Sequence, residues 1–396
     1  MTRKKLLMLL GSVCLALVLA VLLLPACAPA TPEEAAEEIA ALEAEIDDLE
    51  GDVAAEKTKT KKLQDEIAEL RKPAEVYEWR CQAMDVPVSM TMPSYRKFFD
   101  RLREASDGQI DVTLYSAGEL VPSPEIVHGL DAGTIEFGMT AGSYYVGEIE
   151  SCNLYSACMP PWVLTSTQQW VEMYMGDGGD LFSHKPLGDL IRAGYAEHGV
   201  YYLGELSISP CTFWSREPLY SVSDFEGLKM RLWGGPVADT FERLGVKVAF
   251  IPKEEIYTSL ATGVVDAAGT GIDDYEATKS YEVAKYLYMP GFLDPGANEV
   301  LMSMGAWNEV PQYQALIKAA MGELQIETYK RGWWFTQEIF MRCDEWGVTI
   351  TTWSDEDIAE MVEAAGPSLD EMATRGPRSA EGIQIIKDYL RFVGKM

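Results

Sequence analysis

Residues equipped for catalysis are few in this chain. There are three histidines, His128, His184 and His198, and no two stand at i, i+4, which excludes a zinc hydrolase of the H-E-x-x-H kind. No G-x-S-x-G elbow, no P-loop, no G-x-G-x-x-G after a strand and no paired-carboxylate constellation occurs. The one histidine inside a helical pattern, His128, reads as exposed or structural. An enzyme is thereby disfavoured, though absent motifs do not disprove one. Binding chemistry is better supplied. Arg231 carries a rigid fork of donors that fits a carboxylate bidentately and never deprotonates. By itself it reads more readily as a surface arginine paired with one of the 62 acids of the chain.

Cys27 is a second chemical candidate. Arg3, Lys4 and Lys5 precede an apolar run from Leu6 to Leu24, and Leu24-Pro25-Ala26-Cys27 follows in the pattern of a bacterial lipobox. Its thiol would take the lipid and become the first residue after cleavage. The competing reading is an uncleaved membrane helix, since about 20 apolar residues span a bilayer. Both place the remainder outside the cytoplasm, tethered to the membrane.

The 396 residues carry a formal charge of −29, and loss of residues 1–27 would make it −32. Such acidity opposes a nucleic-acid partner, whose phosphates need concentrated Lys and Arg. A 47% hydrophobic share excludes wholesale disorder, and the length suggests two domains with accessories. Beyond Cys27, five cysteines remain (Cys81, Cys152, Cys158, Cys211 and Cys343). An odd number cannot all pair internally, and buried thiols are expected.

Residues 33–70 place Ile39, Leu42, Ile46, Leu49, Val53, Leu63, Ile67 and Leu70 in one a/d register, interrupted by Glu56 and Thr60. This predicts a coiled coil that joins copies of the chain through residues 39–70. The alternative is a lone amphipathic spacer, and Gly51 weakens the middle. At 1.5 Å per residue the helix would reach roughly 55–60 Å.

From Tyr77 onward short strands alternate with amphipathic helices. Strands are expected at 76–83, 110–115, 137–141, 199–206, 228–233, 246–251 and 264–268. Helices are expected at 94–105, 125–130, 236–244, 254–262, 313–343, 355–365 and 381–393. This order predicts an α/β body with largely parallel sheets, whose ligands sit beyond the carboxyl ends of strands or between lobes.

Ordered blocks then carry a resemblance. Ser106-Asp107-Gly108-Gln109-Ile110, Ala117-Gly118-Glu119-Leu120-Val121 and Gly129-Leu130-Asp131-Ala132-Gly133-Thr134-Ile135-Glu136 form the first group. Ser223-Asp224-Phe225-Glu226-Gly227-Leu228-Lys229-Met230-Arg231, Leu244-Gly245-Val246-Lys247-Val248, Pro252, Glu255-Ile256-Tyr257 and Gly263-Val264-Val265-Asp266-Ala267-Ala268 form the second. Together they resemble the DctP-type solute receptors of TRAP (tripartite ATP-independent) transporters over residues 77 to 350. The resemblance implies a two-lobed, type II-like periplasmic-binding-protein fold with long crossing helices, here preceded by the coiled-coil helix. It also implies a small organic carboxylate as ligand, Arg231 as its anchor, and TRAP permease subunits in the membrane as partners.

The expected boundaries are residues 1–27 for a lipoprotein signal, 28–73 for the spacer, 74–207 with about 293–340 for lobe I, and 208–292 with about 341–396 for lobe II. Asp273-Asp274-Tyr275 through Val283-Ala284-Lys285-Tyr286, with Pro290-Gly291-Phe292, resembles a 2-oxo-acid-binding branch, in which a bound cation shares the carboxylate with arginine. That branch has a Glu-Trp pair where Gly269 and Thr270 stand, and a glutamine where Pro210 is the nearest match. Without those oxygens no metal is expected, nor any cofactor. Asp273 is kept as a candidate contact.

Aromatic residues cluster around the expected cleft: Tyr144, Tyr145, Trp162, Phe213, Trp214 and Trp233. At least half are expected to be core or hinge packing. Tyr144 and Tyr145 match a ligand-facing loop of relatives, and Trp233 would share a strand face with Arg231. Trp214 is the remaining candidate. Two other classes stay open: an extracytoplasmic enzyme acting on small organic acids, and a solute sensor signalling through the coiled coil.

Overall fold

The computed structural model describes residues 31–70, 76–154, 187–293 and 297–392. Two compact units divide at Ala74 and Glu75. In the first, Pro32–Leu70 is one 39-residue helix that runs through Gly51 without a break. Ile39, Leu42, Ile46, Leu49, Val53 and Leu63 are all exposed along it, at 42 to 57%.

The second unit holds eleven described strands in two sheets. Strands β1 (Tyr77–Ala83), β2 (Ile110–Tyr115), β3 (Phe137–Thr140) and β4 (Val200–Ser207) lie in the first; β5 (Cys211–Ser215), β6 (Lys229–Arg231), β7 (Lys247–Ala249), β8 (Ala267–Gly271) and β9 (Tyr286–Met289) lie in the second. The chain then returns with β10 (Ala297–Ser303) to the first sheet, and β11 (Thr349–Thr352) closes the edge of the second. Sheet orders are β2-β1-β3-β10-β4 and β11-β9-β5-β8-β6-β7. Both strands that follow a crossing run against their neighbours: β10 is antiparallel to β3 and β4, and β5 to β8 and β9.

Local sequence explains the elements that were expected. In β1 the alternation buries Trp79, Cys81 and Ala83 and leaves Glu78 and Arg80 exposed. The helix Met92–Ala105 has Pro93 in its first turn and buries Met92, Tyr95, Phe98, Phe99 and Leu102, an i, i+3, i+4 stripe. Phe98 and Phe99 meet Phe137 of β3 edge-on at 6.2 and 5.3 Å. Each such ring contributes about 1.5–3 kcal/mol by leaving water. In the second sheet, Trp214 packs with Ile256, Leu260, Ala268, Tyr275 and Leu287.

A 33-residue helix, Gln314–Trp346, packs on both sheets' elements. Its buried small residues Thr328, Gly332 and Thr336 bring its backbone onto the segment joining β4 to β5. A Cβ on Gly332 would stand 2.8 Å from the Ile208 carbonyl carbon and the Ser209 nitrogen.

The last helix, Pro377–Phe392, packs on the helix Ser368–Ala373 and also on segments that precede β4. Arg378 pairs with Glu197, the Ser379 amide donates to Glu150, and Gly382 lies against Leu154. All three contacts are to segments that precede β4. An amphipathic helix carries no address in its own sequence, so its side of attachment is fixed only by the surface that covers it.

Candidate functional site

The parallel strands of both sheets end toward one small cavity. Met84 follows β1, Ser143 and Tyr144 follow β3, and Ile208 follows β4. From the second sheet come Arg231 at the end of β6, Lys253 after β7, and Thr270 and Gly271 at the end of β8. Trp233, Cys211, Ala297 and Asn298 complete much of the wall. This is the position that the strand-end rule for α/β sheets gives to a ligand.

Arg231 is buried, with 2% of its surface exposed. Its Nε donates to the Ile251 carbonyl at 2.7 Å and its Nη1 to the Gly269 carbonyl at 3.0 Å. These bonds fix the plane of the guanidinium and leave donors over for the cavity that the residue lines. Among the described residues no carboxylate pairs with it. A buried cation without a counter-charge is costly unless an anion joins it.

Lys253 has the opposite surroundings. Its ammonium lies 3.2 Å from Asp85 Oδ1 and 3.1 Å from Asp274 Oδ2, and all three side chains are at most 7% exposed. Asp85, which follows β1, accepts from the Tyr95 hydroxyl at 3.0 Å and from Asn298 Nδ2 at 3.1 Å. Asp274 accepts from Thr270 Oγ1 at 2.8 Å. Burial works against the charged amine, but the Asp274, Asp85 and Asp273 carboxyls outweigh it and hold the lysine well above its ordinary value. For the Tyr144 phenol, burial raises the value, while the charges of Arg231 and Lys253 pull it down.

Of the residues proposed from sequence, Arg231, Trp233 and Tyr144 meet at the cavity. Trp233 gets there without the expected strand, because β6 ends at Arg231 and the chain turns. Its ring packs on Phe292 at 5.7 Å, and Tyr144 packs edge-on against Phe250 at 5.3 Å. Tyr145 is a core residue, its hydroxyl 3.0 Å from Thr140 Oγ1. Trp214 is likewise fully buried, 4.9 Å from the Tyr275 ring. Both faces of β5 are covered, so the side chain expected in the cleft points into the second core instead. Asp273 lies behind the wall, hydrogen-bonded to Ser209 Oγ. Burial first, and the Asp274 charge second, push its carboxyl up to about 7.

Cys27 and Trp162 lie outside the described residues. His128 is exposed and 3.2 Å from Glu148. Gly269 offers its carbonyl to Arg231 and Thr270 its hydroxyl to Asp274. Lys253, Asp85, Asp274 and Asn298 were not foreseen. Pro252-Lys253-Glu254-Glu255 reads as a solvated charge run, and Asp85 lies 168 residues away. Only the chain fold brings the pair together.

The sequence profile described as "Bacterial extracellular solute-binding protein, family 7" (DctP) matches residues 88–375. The monocarboxylate 2-oxoacid-binding periplasmic protein of Nostoc sp. is 35% identical over 232 residues, 57% of this chain and 60% of that protein's length. The TRAP periplasmic solute binding protein from Desulfovibrio salexigens with bound orotic acid superposes with a TM-score of 0.71 at 21% identity, covering 80% of this chain and 98% of the other. A Rhodobacter sphaeroides TRAP solute binding protein in an apo open structure gives 0.59 at 24% identity, covering 81% and 99%. At these identities the two structures speak for the fold: two lobes with a cavity between them. With the profile matching most of the chain, the protein belongs to the DctP family of bacterial extracellular solute-binding proteins.

Proposed function

We propose that the protein is the extracytoplasmic receptor of a TRAP transporter. It captures a small organic carboxylate between its two lobes and hands it, chemically unchanged, to permease subunits in the membrane. The observation that carries this reading is the buried Arg231, oriented by two carbonyls and paired with no acid among the described residues. A carboxylate on its open donors supplies the missing charge. Support comes from the relatives: a 2-oxoacid binder in Nostoc and an orotate-bound receptor in Desulfovibrio both carry acids.

In this reading the receptor is held at the membrane by a lipid on Cys27, and the Pro32–Leu70 helix is its stalk, shared between copies. Among the described residues no helix is long and apolar enough to cross a membrane. The test is a thermal-shift screen of small carboxylates, followed by calorimetry and recovery of the bound acid. A stabilising acid recovered intact is expected. Consumption of the acid over time would replace the receptor with an enzyme.

A further inference from the structure

The long helix Gln314–Trp346 carries large apolar side chains on two faces. One face, with Thr328, Gly332, Thr336 and Ile339, is buried in the body. The other carries Ile326, Tyr329, Trp333, Trp334 and Met341, which are 44 to 68% exposed. At 3.6 residues per turn these five fall in one stripe, on the side turned away from Gly332 and its buried neighbours. With roughly 200 Å² for a large side chain, the stripe leaves roughly 600 Å² in water. The polar residues between its members bring the face near the roughly 800 Å² that each partner of a stable pair contributes. Single exposed apolar residues need no explanation, but a contiguous patch of this size marks an interface. Its Trp, Tyr and Met content is that of an interface as well.

The stripe is also symmetric along the helix. Ile326 and Trp333 stand one heptad apart, as do Trp334 and Met341, so the midpoint falls between the two tryptophans. Their ring centroids are 6.4 Å apart. A second copy of this helix, laid antiparallel across the midpoint, sets each Trp333 against the Trp334 of the other copy and each Ile326 against the Met341. That is the self-complementarity a two-fold interface demands. We propose that this face pairs two copies of the chain, their long helices antiparallel across Trp333 and Trp334. The charges agree with it. Glu327 is met by Lys97, Lys330 and Arg331 at 3.4 to 3.8 Å, and Glu338 accepts from Trp334 Nε1 at 2.8 Å. These acids enter the seam compensated, in a chain whose charge of −29 opposes contact between copies elsewhere. The same charge opposes an anionic lipid surface as the occupant. The pairing uses no residue of the cavity and stands apart from the receptor reading.

The test is sedimentation equilibrium of the full chain over a concentration series. Ile326→Glu with Trp333→Glu puts charges in the seam at exposed positions, so Tm and carboxylate affinity should hold. Association should weaken at least about 30-fold, the loss that one dominant interface residue causes. With the Pro32–Leu70 stalk as a second weak contact between the same copies, loss of either contact is expected to leave single chains where wild type pairs. Should the variant fail to fold, Trp333→Ser with Met341→Ser gives the same comparison. Cross-linking reads the register: Ile326→Cys with Met341→Cys should give a covalent dimer with a short bis-maleimide. Ile326→Cys alone should not, since the two substituted positions of an antiparallel pair lie about 22 Å apart. Association unchanged in the folded variant overturns the proposal, as does a wild type that is monomeric throughout. A double cysteine variant that cross-links no better than the single one overturns the antiparallel arrangement. Wild-type binding to phosphatidylglycerol vesicles that the variant loses, with both masses equal, would give the face to a membrane and overturn the pairing.

Discussion

Lys253 Nζ and Asp85 Oδ1 stand 3.2 Å apart, and the two residues follow strands of different sheets. The ion pair is thus a tie between the lobes, set in the wall of the cavity that those lobes enclose. Asp85 is held from its own side by Tyr95 and Asn298, and Lys253 from the other by Asp274. Each partner is anchored, so the pair is held in one geometry.

Asp85→Asn should therefore destabilise the protein by about 3 kcal/mol, the low end for breaking a buried pair, since Lys253 keeps Asp274. The substituted amide can still meet Tyr95 and Asn298, so the loss reports the charge. Chemical denaturation of wild type and variant measures it. Equal midpoints would show that the tie contributes nothing to the folded state.

Asp273 makes stability depend on pH in a sense opposite to a salt-bridged acid. Its carboxyl is raised to about 7 by burial and the Asp274 charge, against the pull of Lys253 and the Ser209 hydrogen bond; Asp85 adds to the rise. Between the ordinary carboxyl range near 4 and about 7, the folded chain holds a proton that the unfolded chain has lost. The contribution to stability therefore falls as pH rises through that window and levels above it. Asp273→Asn should be the more stable protein at pH 8, with the gap in Tm shrinking toward pH 5. A gap that does not change with pH would remove this carboxyl from the titration.

Gly332→Ala tests the approach of the long helix to the lobe crossing. Alanine gains up to about 1 kcal/mol of helix propensity over glycine. Its Cβ would also meet backbone atoms of Ile208 and Ser209 at 2.8 Å, where no flexible side chain can move aside. Overpacking of this kind costs about 1–3 kcal/mol, so the net effect should be a lower Tm. Scanning calorimetry decides; a higher Tm would mean that the helix lifts away from the crossing without penalty.

Much of the body was legible because its periodicities are local. The alternation in β1 and the apolar stripe of Met92–Ala105 each name their buried face within a few residues. Arg231 was legible through its ordered surroundings in sequence. The strands Cys211–Ser215 and Ala297–Ser303 were not, because both faces are buried and no alternation survives. The same covering on both sides turned Trp214 from an expected cleft residue into a core one. Lys253 illustrates the other limit. A lysine between a proline and two glutamates gives no sign that an aspartate far along the chain will bury it.

The exposed stripe of the Pro32–Leu70 helix should join copies of the chain. Leu42 and Leu49 stand one heptad apart and are 47% and 46% exposed. The variant Leu42→Asp with Leu49→Asp places charges in the seam and should lower the mass in sedimentation equilibrium to that of one chain. Helix content and ligand affinity should hold. The polar interruptions at Glu56 and Thr60 make the association weak, so the measurement needs a concentration series. A wild type that is monomeric throughout would leave the helix a spacer only.

Arg231→Ala and Arg231→Lys separate charge from geometry at the anchor. Removing one partner of a desolvated charge pair costs roughly 2–5 kcal/mol, about 30-fold to several thousand-fold in affinity. Arg231→Ala should lose carboxylate binding to that extent. It also leaves the Ile251 and Gly269 carbonyls without their donors, so Tm should fall by an amount matching about 1–3 kcal/mol while the fold persists. Arg231→Lys restores a charge, but one ammonium cannot bond both carbonyls and still present two parallel donors to a carboxylate. It should therefore recover part of the affinity at most. Calorimetry with any carboxylate that stabilises the wild type measures all three proteins. Full affinity in Arg231→Lys would show that the site needs a charge and no fork, and full affinity in Arg231→Ala would take the residue out of the site altogether.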